Sequence, residues 1–470
     1  MTQILTQIPH SIPSQMQRTF RLAAYLFILI ASAASTGFAK PLSQKSVLQL
    51  PHQTYTLPNG LRLFLVKYPS PGAVAYQLTV RAGSRNEIEK GKTGFAHFFE
   101  HLMFRGTKKL SSKEFGDLYT KLGCENNAST DYDLTTYHGI VASVYLPEIL
   151  AAEADRFAHL AFDEKSLRDE AGAVLGEYNK DAAQPEFQLE EKLMATAFTK
   201  HPYSHTTMGY KEDVLQFTER YKDVWPFFQR YYRPENVFIT LVGDIDFKAM
   251  TDLVQKQFGS WKSNPADSVT IPAEDEQTEA RKAEVRLDKP SQTRAVVAYK
   301  IPAFSTESPD SVVIDILSEL IFSVTSPFQK EFHFDKKWLD LVSTTGQAWV
   351  NPGLWQIWVR LTQAGEGKEA QILEAIEKTI AQVRTTPPSR DQLSILKRRF
   401  RNQALSHWFA SPENLSATLV HYMNFETDMA VIDRVLNRVE RLTPENLTEF
   451  ARKHLIDSHK TTVLLKGAGK

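Results

Sequence analysis

The sequence contains a single cysteine, Cys124, among 470 residues. One cysteine cannot form an intrachain disulfide, so we expect the fold to be stabilised by hydrophobic cores and not by cross-links. A catalytic thiol would need an exposed cysteine paired with a histidine, and a histidine and glutamate motif elsewhere in the chain accounts for catalysis without one. We therefore do not expect Cys124 to act as a nucleophile.

The formal net charge of the chain is zero, because 55 Lys and Arg residues balance 55 Asp and Glu residues. A neutral chain gives no reason to expect nucleic-acid binding. The sequence has no G-x-G-x-x-G after a strand, no Walker loop and no low-complexity tract, so nucleotide-dependent chemistry has no support. The length and the hydrophobic content of 42% are typical of a globular protein with two or three domains.

One apolar run lies near the N-terminus, at residues 22–31, after Arg18 and Arg21. It is shorter than the ~20 residues needed to span a bilayer. Small residues follow it up to Ala39, which is typical of a secretory signal peptide. We predict a signal peptide at residues 1–39 and a periplasmic or secreted protein of the bacterial envelope, with a mature net charge of about −2. An uncleaved membrane anchor is the alternative.

The segment from His97 to His101 has the pattern H-x-x-E-H. Residues four apart project from one face of an α-helix, so His97 and His101 can direct two imidazoles at one metal ion, with Glu100 beside them. This order is the inverted form of the H-E-x-x-H metalloprotease motif. The alternative is a helix whose histidines only pack or pair with a carboxylate. Two histidines and a glutamate at this spacing favour a zinc hydrolase.

A zinc hydrolase needs a third protein ligand and an open position for water. Glu170 and Glu177 lie seven residues apart, or two turns on one face, in a segment that Asp163 opens as a good helix start. One glutamate could bind the metal while the other supports it. The alternative is a solvated charged face.

These motifs together resemble the pitrilysin and insulin-degrading-enzyme family of zinc peptidases. The resemblance is strongest to the half-length type, which includes the mitochondrial processing peptidase beta subunit and bacterial two-subunit homologues. In that family the third ligand follows the motif by about 76 positions, and Glu177 lies 76 positions after His101. The resemblance thus implies one zinc ion per chain, held by His97, His101 and Glu177. It also implies that Glu170 supports the site or orients water, as a residue of the catalytic machinery.

Further segments across residues 50–250 carry the same resemblance. Residues 56–66 read as a hairpin through Asn59-Gly60 followed by an alternating strand, and Ser111 to Glu114 reads as a capping box. Residues 126–131 resemble the active-site edge strand of the family, which implies substrate binding by Asn127 and Ala128. An extended peptide could pair with the free groups of such a strand.

The fold class predicted is α+β, with two homologous domains that each pack helices on a mostly antiparallel sheet and that enclose a chamber on dimerisation. We place the zinc-bearing domain at residues 45–262, a polar and acidic linker at 263–283 and the second domain at 284–470. In the second domain we predict strands within 285–301 and at 353–361, and helices at 310–322, 367–383 and 390–408.

The second domain departs from the family at one place. Family members carry an Arg followed seven residues later by a Tyr, which hold the substrate and the developing oxyanion. Here His333 and Asp340 occupy those positions, and no tyrosine beyond residue 280 follows an arginine by seven. This predicts a heterodimer in which a homologous subunit supplies the Arg/Tyr pair; the alternative is a homodimer with substitute residues or a weak peptidase.

The predicted function is a zinc metalloendopeptidase that hydrolyses peptides or unfolded segments with a zinc-activated water and Glu100 as general base. Two other classes stay open, a structural subunit without activity and a module that binds peptides without cleaving them. Zinc content combined with a peptide digest separates the three.

Overall fold

The computed structural model describes residues 46–263, 269–346 and 349–468. The predicted signal peptide at residues 1–39 lies outside the described residues, as does part of the predicted linker.

The first half of the chain builds a six-stranded sheet in the order β1-β2-β6-β3-β5-β4. The strands are β1 His52–Thr56, β2 Arg62–Lys67, β3 Ala73–Val80, β4 Glu125–Thr130, β5 Thr135–Ala142 and β6 Val237–Gly243. The predicted hairpin is confirmed, because β1 and β2 pair antiparallel across the turn at Asn59-Gly60. Gly60 takes a φ of +91°, a left-handed conformation that favours glycine.

The first half also contains α-helices, among them the two that carry the predicted metal ligands and catalytic glutamates. They are α1 Phe95–Leu102, α2 Ser112–Lys121, α3 Leu146–His159, α4 Glu164–Ala182, α5 Pro185–Ala197, α6 Lys211–Val214, α7 Val224–Tyr231 and α8 Phe247–Phe258. The predicted capping box is confirmed at the start of α2, where Ser111 and Glu114 bind each other's backbone N–H groups. Asp163 caps α4 by accepting from the Ser166 N–H at 2.7 Å.

The prediction that β2 alternates between a buried and an exposed face is wrong. All four residues from Leu63 to Val66 are fully buried. Leu63 and Leu65 belong to the core of the first domain, whereas Phe64 and Val66 belong to a core built mainly by the second half of the chain. The strand is apolar on both faces because each face is covered by a different domain.

The second half builds a five-stranded sheet in the order β7-β11-β8-β10-β9. Its strands are β7 Arg281–Arg286, β8 Arg294–Ile301, β9 Leu339–Gly346, β10 Gly353–Leu361 and β11 Lys460–Lys466. Its helices are α9 Asp310–Phe322, α10 Pro327–Gln329, α11 Glu369–Thr385, α12 Arg390–Trp408, α13 Pro412–Met423, α14 Val431–Arg441 and α15 Pro444–His454, with a π-helical turn at Lys330–Asp335 after α10.

The predicted strand at 353–361 and the predicted helices at 310–322 and 390–408 are confirmed. The helix predicted at 367–383 runs two residues later, and β7 begins inside the predicted linker. The stretch Asp310–Asp335 is long and apolar enough to cross a membrane by length and composition. Half of its most apolar window is buried, however, and Val313, Ile316 and Leu317 contribute to the second core. The two-sheet arrangement confirms the predicted α+β fold class.

Each half of the chain contributes one helix that packs on the sheet of the other half. Helix α5 packs against β7 and β11 of the second sheet, where Leu189 and Leu193 are fully buried with Val463. Helix α13 packs against β3 and β6 of the first sheet. Because residues on both helices are buried, the second half is part of the scaffold that supports the first.

Candidate active site

Helix α1 carries the H-x-x-E-H motif, as predicted, and an internal carboxylate fixes its start. Glu87 accepts the Gly94 N–H at 2.6 Å and the Ala96 N–H at 2.7 Å. Its side chain is fully buried. A carboxylate at a helix N-terminus satisfies donors that have no partner within the helix and interacts favourably with the helix dipole. The position of His97 and His101 therefore depends on Glu87.

Three ligand atoms converge between α1 and α4. The Nε2 atoms of His97 and His101 lie 3.3 Å apart, and the Glu177 Oε2 lies 3.7 Å from the first and 3.4 Å from the second. Zn–N bonds of 2.0–2.1 Å in a tetrahedron place ligand atoms about 3.3 Å apart. His97, His101 and Glu177 also form a group of metal-ligand type, the one such group within the described residues. The three residues fit a zinc ion, as the spacing of the motif predicts.

The electrostatics of this group suit metal binding. Burial, together with the neighbouring His101, lowers the pKa of His97 to about 4, so its imidazole is neutral at pH 7. The neighbouring His101, and after it His97, lower the pKa of Glu177 below its ordinary value. Neutral imidazole and ionised carboxylate are the forms that bind a metal ion.

Glu170 lies two turns before Glu177 on α4 and contacts the predicted ligand His101 at the ring nitrogen that does not face the metal site. Its Oε1 lies 2.8 Å from the Nδ1 of His101, and its Oε2 is paired with Arg105. An Nδ1–H that donates to Glu170 leaves the Nε2 lone pair facing the site. Glu170 is 5% exposed. The geometry therefore supports the sequence-based role of a residue that orients a ligand.

Substitution of Glu170 by Gln is expected to weaken zinc affinity about 10- to 100-fold, because the His101 ring loses the carboxylate that fixes its tautomer. Competition of the purified variant against a zinc chelator measures the affinity. Asp169→Asn is the matched control, since Asp169 is the exposed neighbour and pairs only with Lys165 among the described residues. Equal affinities for both variants would contradict the role of Glu170.

Glu100 lies on α1 between the two histidines, and its carboxylate contacts the edge strand. Its Oε2 accepts the Thr130 hydroxyl at 2.7 Å. Burial raises the pKa of Glu100 above its ordinary value, while the hydrogen bond from Thr130 opposes that rise. A carboxyl whose pKa moves toward neutrality is better suited to exchange protons at physiological pH.

The predicted edge strand is confirmed, because β4 is the outermost strand of the first sheet and pairs with β5 on one side only. Asn127 is exposed, and its Oδ1 accepts the Ala128 N–H at 2.9 Å. The Asn127 side chain thus occupies a backbone donor that an added strand could otherwise use.

Two other sequence-based predictions concern residues outside the metal-ligand group, namely Cys124 and the pair His333 and Asp340. Cys124 is 8% exposed and burial raises its pKa, which does not suit a nucleophile. Asp340 lies on β9, where Arg360 Nε donates to it at 2.8 Å and Gln292 Nε2 at 3.0 Å. His333 lies on the π-helical turn.

Sequence reasoning missed three residues that support the site, namely Glu87, Arg105 and Thr130. Their contacts join segments that are far apart in sequence or lack a periodic pattern. Only Thr130 carried a signal, since it lies within residues 126–131, the segment that the sequence assigned to the edge strand.

Comparisons with known proteins agree with the geometry. A family profile described as insulinase (peptidase family M16) matches residues 63–211, and one described as the peptidase M16 inactive domain matches residues 219–400. Zinc protease PqqE of Helicobacter pylori is 28% identical over 424 residues, which cover 88% of this chain and 93% of that protein. A probable mitochondrial-processing peptidase subunit beta of Arabidopsis thaliana is 26% identical over 282 residues, 60% of this chain and 52% of that protein.

A solved structure shares the whole arrangement. The crystal structure of a protease from Helicobacter pylori matches with a TM-score of 0.81 and 26% identity, covering 89% of this chain and all of that one. The match extends over both sheets, so it confirms the two-domain fold as well as the resemblance that the zinc motif carries. The chain therefore belongs to peptidase family M16, the insulinase family.

Proposed function

We propose that this chain is a zinc metalloendopeptidase that hydrolyses peptides or unfolded segments, and that it is the catalytic subunit of a heterodimer. One observation carries the proposal. The ligand atoms of His97, His101 and Glu177 converge at distances that suit zinc, on the same short helix that bears Glu100.

Zinc, when bound, supplies a Lewis acid that polarises a carbonyl and lowers the pKa of water. His97, His101 and Glu177 are the residues that hold it. Glu100 takes a proton from the attacking water and passes it to the leaving amine. Glu170 keeps the ring of His101 oriented.

Strand β4 supports recognition of the peptide backbone. A substrate that pairs with β4 as an added strand replaces the Asn127 side chain at the Ala128 N–H and leaves the Asn127 amide free to bind the substrate. Such pairing recognises an extended chain more than particular side chains, which suits peptides and unfolded segments.

The heterodimer and the location are supported by sequence features. His333 and Asp340 stand where the family has Arg and Tyr, so a partner subunit would supply the missing donors. The apolar run after Arg18 and Arg21 supports export to the periplasm or the medium.

A quenched unstructured peptide tests the proposal. We expect the purified chain, mixed with a homologous Arg/Tyr-bearing subunit, to cleave the peptide, to lose activity when a chelator removes the metal, and to regain it when zinc is restored. Chelator-insensitive cleavage would contradict a zinc peptidase. A zinc-loaded mixture that binds the peptide without cleaving it would favour the binding module, and a chain that binds neither zinc nor peptide would favour a structural subunit.

A further inference from the structure

Thr130 is the last residue of β4, and it joins the edge strand to Glu100. Its hydroxyl donates to the Glu100 Oε2 at 2.7 Å. A hydrogen bond to a charged carboxylate is short and strong, so it restrains the position of that carboxylate. The strand that would receive the substrate is thus bonded directly to the proposed base.

The chain that follows Thr130 is held firmly. The Asp131 carbonyl accepts the Ser84 N–H at 3.3 Å, and the Tyr132 carbonyl accepts the Arg85 N–H at 2.8 Å. A Cβ placed on Gly83 would lie 2.1 Å from the Asp131 carbonyl oxygen, so only glycine allows this approach. The end of β4 is therefore fixed against the loop that precedes the zinc helix.

The second domain completes this support through Asp133, which is 5% exposed. Asp133 pairs with Arg85 at 2.7 Å, accepts the Tyr203 hydroxyl at 2.8 Å and accepts the Val350 N–H at 2.9 Å. Val350 comes from the loop before β10. The neighbouring Trp349 packs its ring 4.5 Å from that of Tyr203. A loop of the domain that lacks the zinc motif thus holds the turn that anchors Thr130.

We infer that Thr130 is a positioning residue that aligns the Glu100 carboxylate with a peptide bound on β4. The inference rests on the proposed function and assigns Thr130 no contact with the zinc ion. β4 fixes the register of an added strand and therefore the position of its scissile carbonyl. Because Thr130 is part of β4, its bond to Glu100 sets the position of the base relative to that carbonyl. Misalignment of a catalytic group lowers the rate of the chemical step without weakening substrate binding.

Thr130→Val removes the hydroxyl at nearly constant size and keeps the backbone N–H. We expect kcat to fall about 10- to 100-fold, the loss that one hydrogen bond to a charged group predicts. KM, the affinity of the apoprotein for zinc and the midpoint of urea unfolding should stay unchanged. Thr130→Ser restores the hydroxyl and should restore most of kcat.

Thr136→Val on β5 is the matched control. Thr136 is also a buried threonine, but its hydroxyl lies 3.3 Å from the hydroxyl of Thr79 and makes no hydrogen bond to Glu100 among the described residues. It should keep the wild-type kcat.

If Thr130→Val retains full kcat, or loses zinc affinity and stability together with kcat, Thr130 is not a positioning residue. The wild type, Glu100→Gln and the threonine variants are all assayed in mixture with the homologous Arg/Tyr-bearing subunit. A wild type that is inactive or insensitive to chelator overturns the proposed function and this inference together, whereas an active wild type with normal Thr130→Val turnover overturns this inference alone.

Discussion

Glu100→Gln is expected to abolish turnover, with kcat at least about 1000-fold lower, and to leave bound zinc at the wild-type level. The amide keeps the size and the polarity of the side chain but cannot take up a proton, and positioned general bases contribute roughly 100- to 10,000-fold to rates. Zinc should remain because its three proposed ligands are unchanged. Turnover by fluorescence of a quenched peptide and metal content by mass spectrometry measure the two quantities.

Glu125→Gln is the matched control for this experiment. Glu125 is an exposed glutamate at the start of β4, five residues before Thr130, which is the residue of β4 that contacts Glu100. We expect its turnover and its zinc content to equal those of the wild type. Retained hydrolysis in a homogeneous Glu100→Gln preparation would remove Glu100 from the role of base.

The sequence predicted the parts of the site that follow helical periodicity. His97 and His101 at a spacing of four, and Glu170 and Glu177 at a spacing of seven, each specify one helix face, and the structure brings those two faces together. What periodicity cannot specify is how two helices meet. The pairing of α1 with α4 came from the resemblance to a family.

The support around the site could not be read from the sequence for a physical reason. The bond from Thr130 to Glu100 joins residues 30 positions apart, and the bond from Val350 to Asp133 joins residues 217 positions apart. Neither contact leaves a repeating pattern, because each depends on tertiary packing alone.

The predicted linker did not indicate how closely the two domains pack on each other. A polar segment between two α+β units suggests separate bodies, yet α5 and α13 each pack on the sheet of the other half. The error on β2 has the same origin, since Phe64 and Val66 face a core that belongs mainly to the second half. Strand alternation predicts exposure only where one face meets water.

Mixing this chain with a homologous subunit that carries the Arg/Tyr pair is expected to raise peptide hydrolysis about 100- to 1000-fold over this chain alone, because a lost oxyanion donor costs that much in rate. Asp340, at the Tyr position, is a carboxylate that already accepts from Arg360 and Gln292. An ionised carboxylate cannot donate a hydrogen bond to an oxyanion. Initial rates at a series of mixing ratios give the effect and the stoichiometry.

Two controls separate the contributions of the subunits. The partner alone should be inactive, and a mixture built with Glu100→Gln should be inactive as well, which assigns the base to this chain. Full activity of this chain alone, unchanged by the partner, would instead mean that other residues of a homodimer replace the Arg/Tyr pair.

The double variant His333→Arg/Asp340→Tyr tests the same argument within one chain. If the two positions retain the geometry of the family, the double variant alone should recover part of the activity that the partner supplies, and the partner should stimulate it less. The ion pair that Asp340 loses is partly exposed, and such pairs contribute only about 0–1 kcal/mol. Loss of this ion pair alone therefore would not unfold the double variant, and a folded but inactive double variant would contradict the expected recovery within one chain.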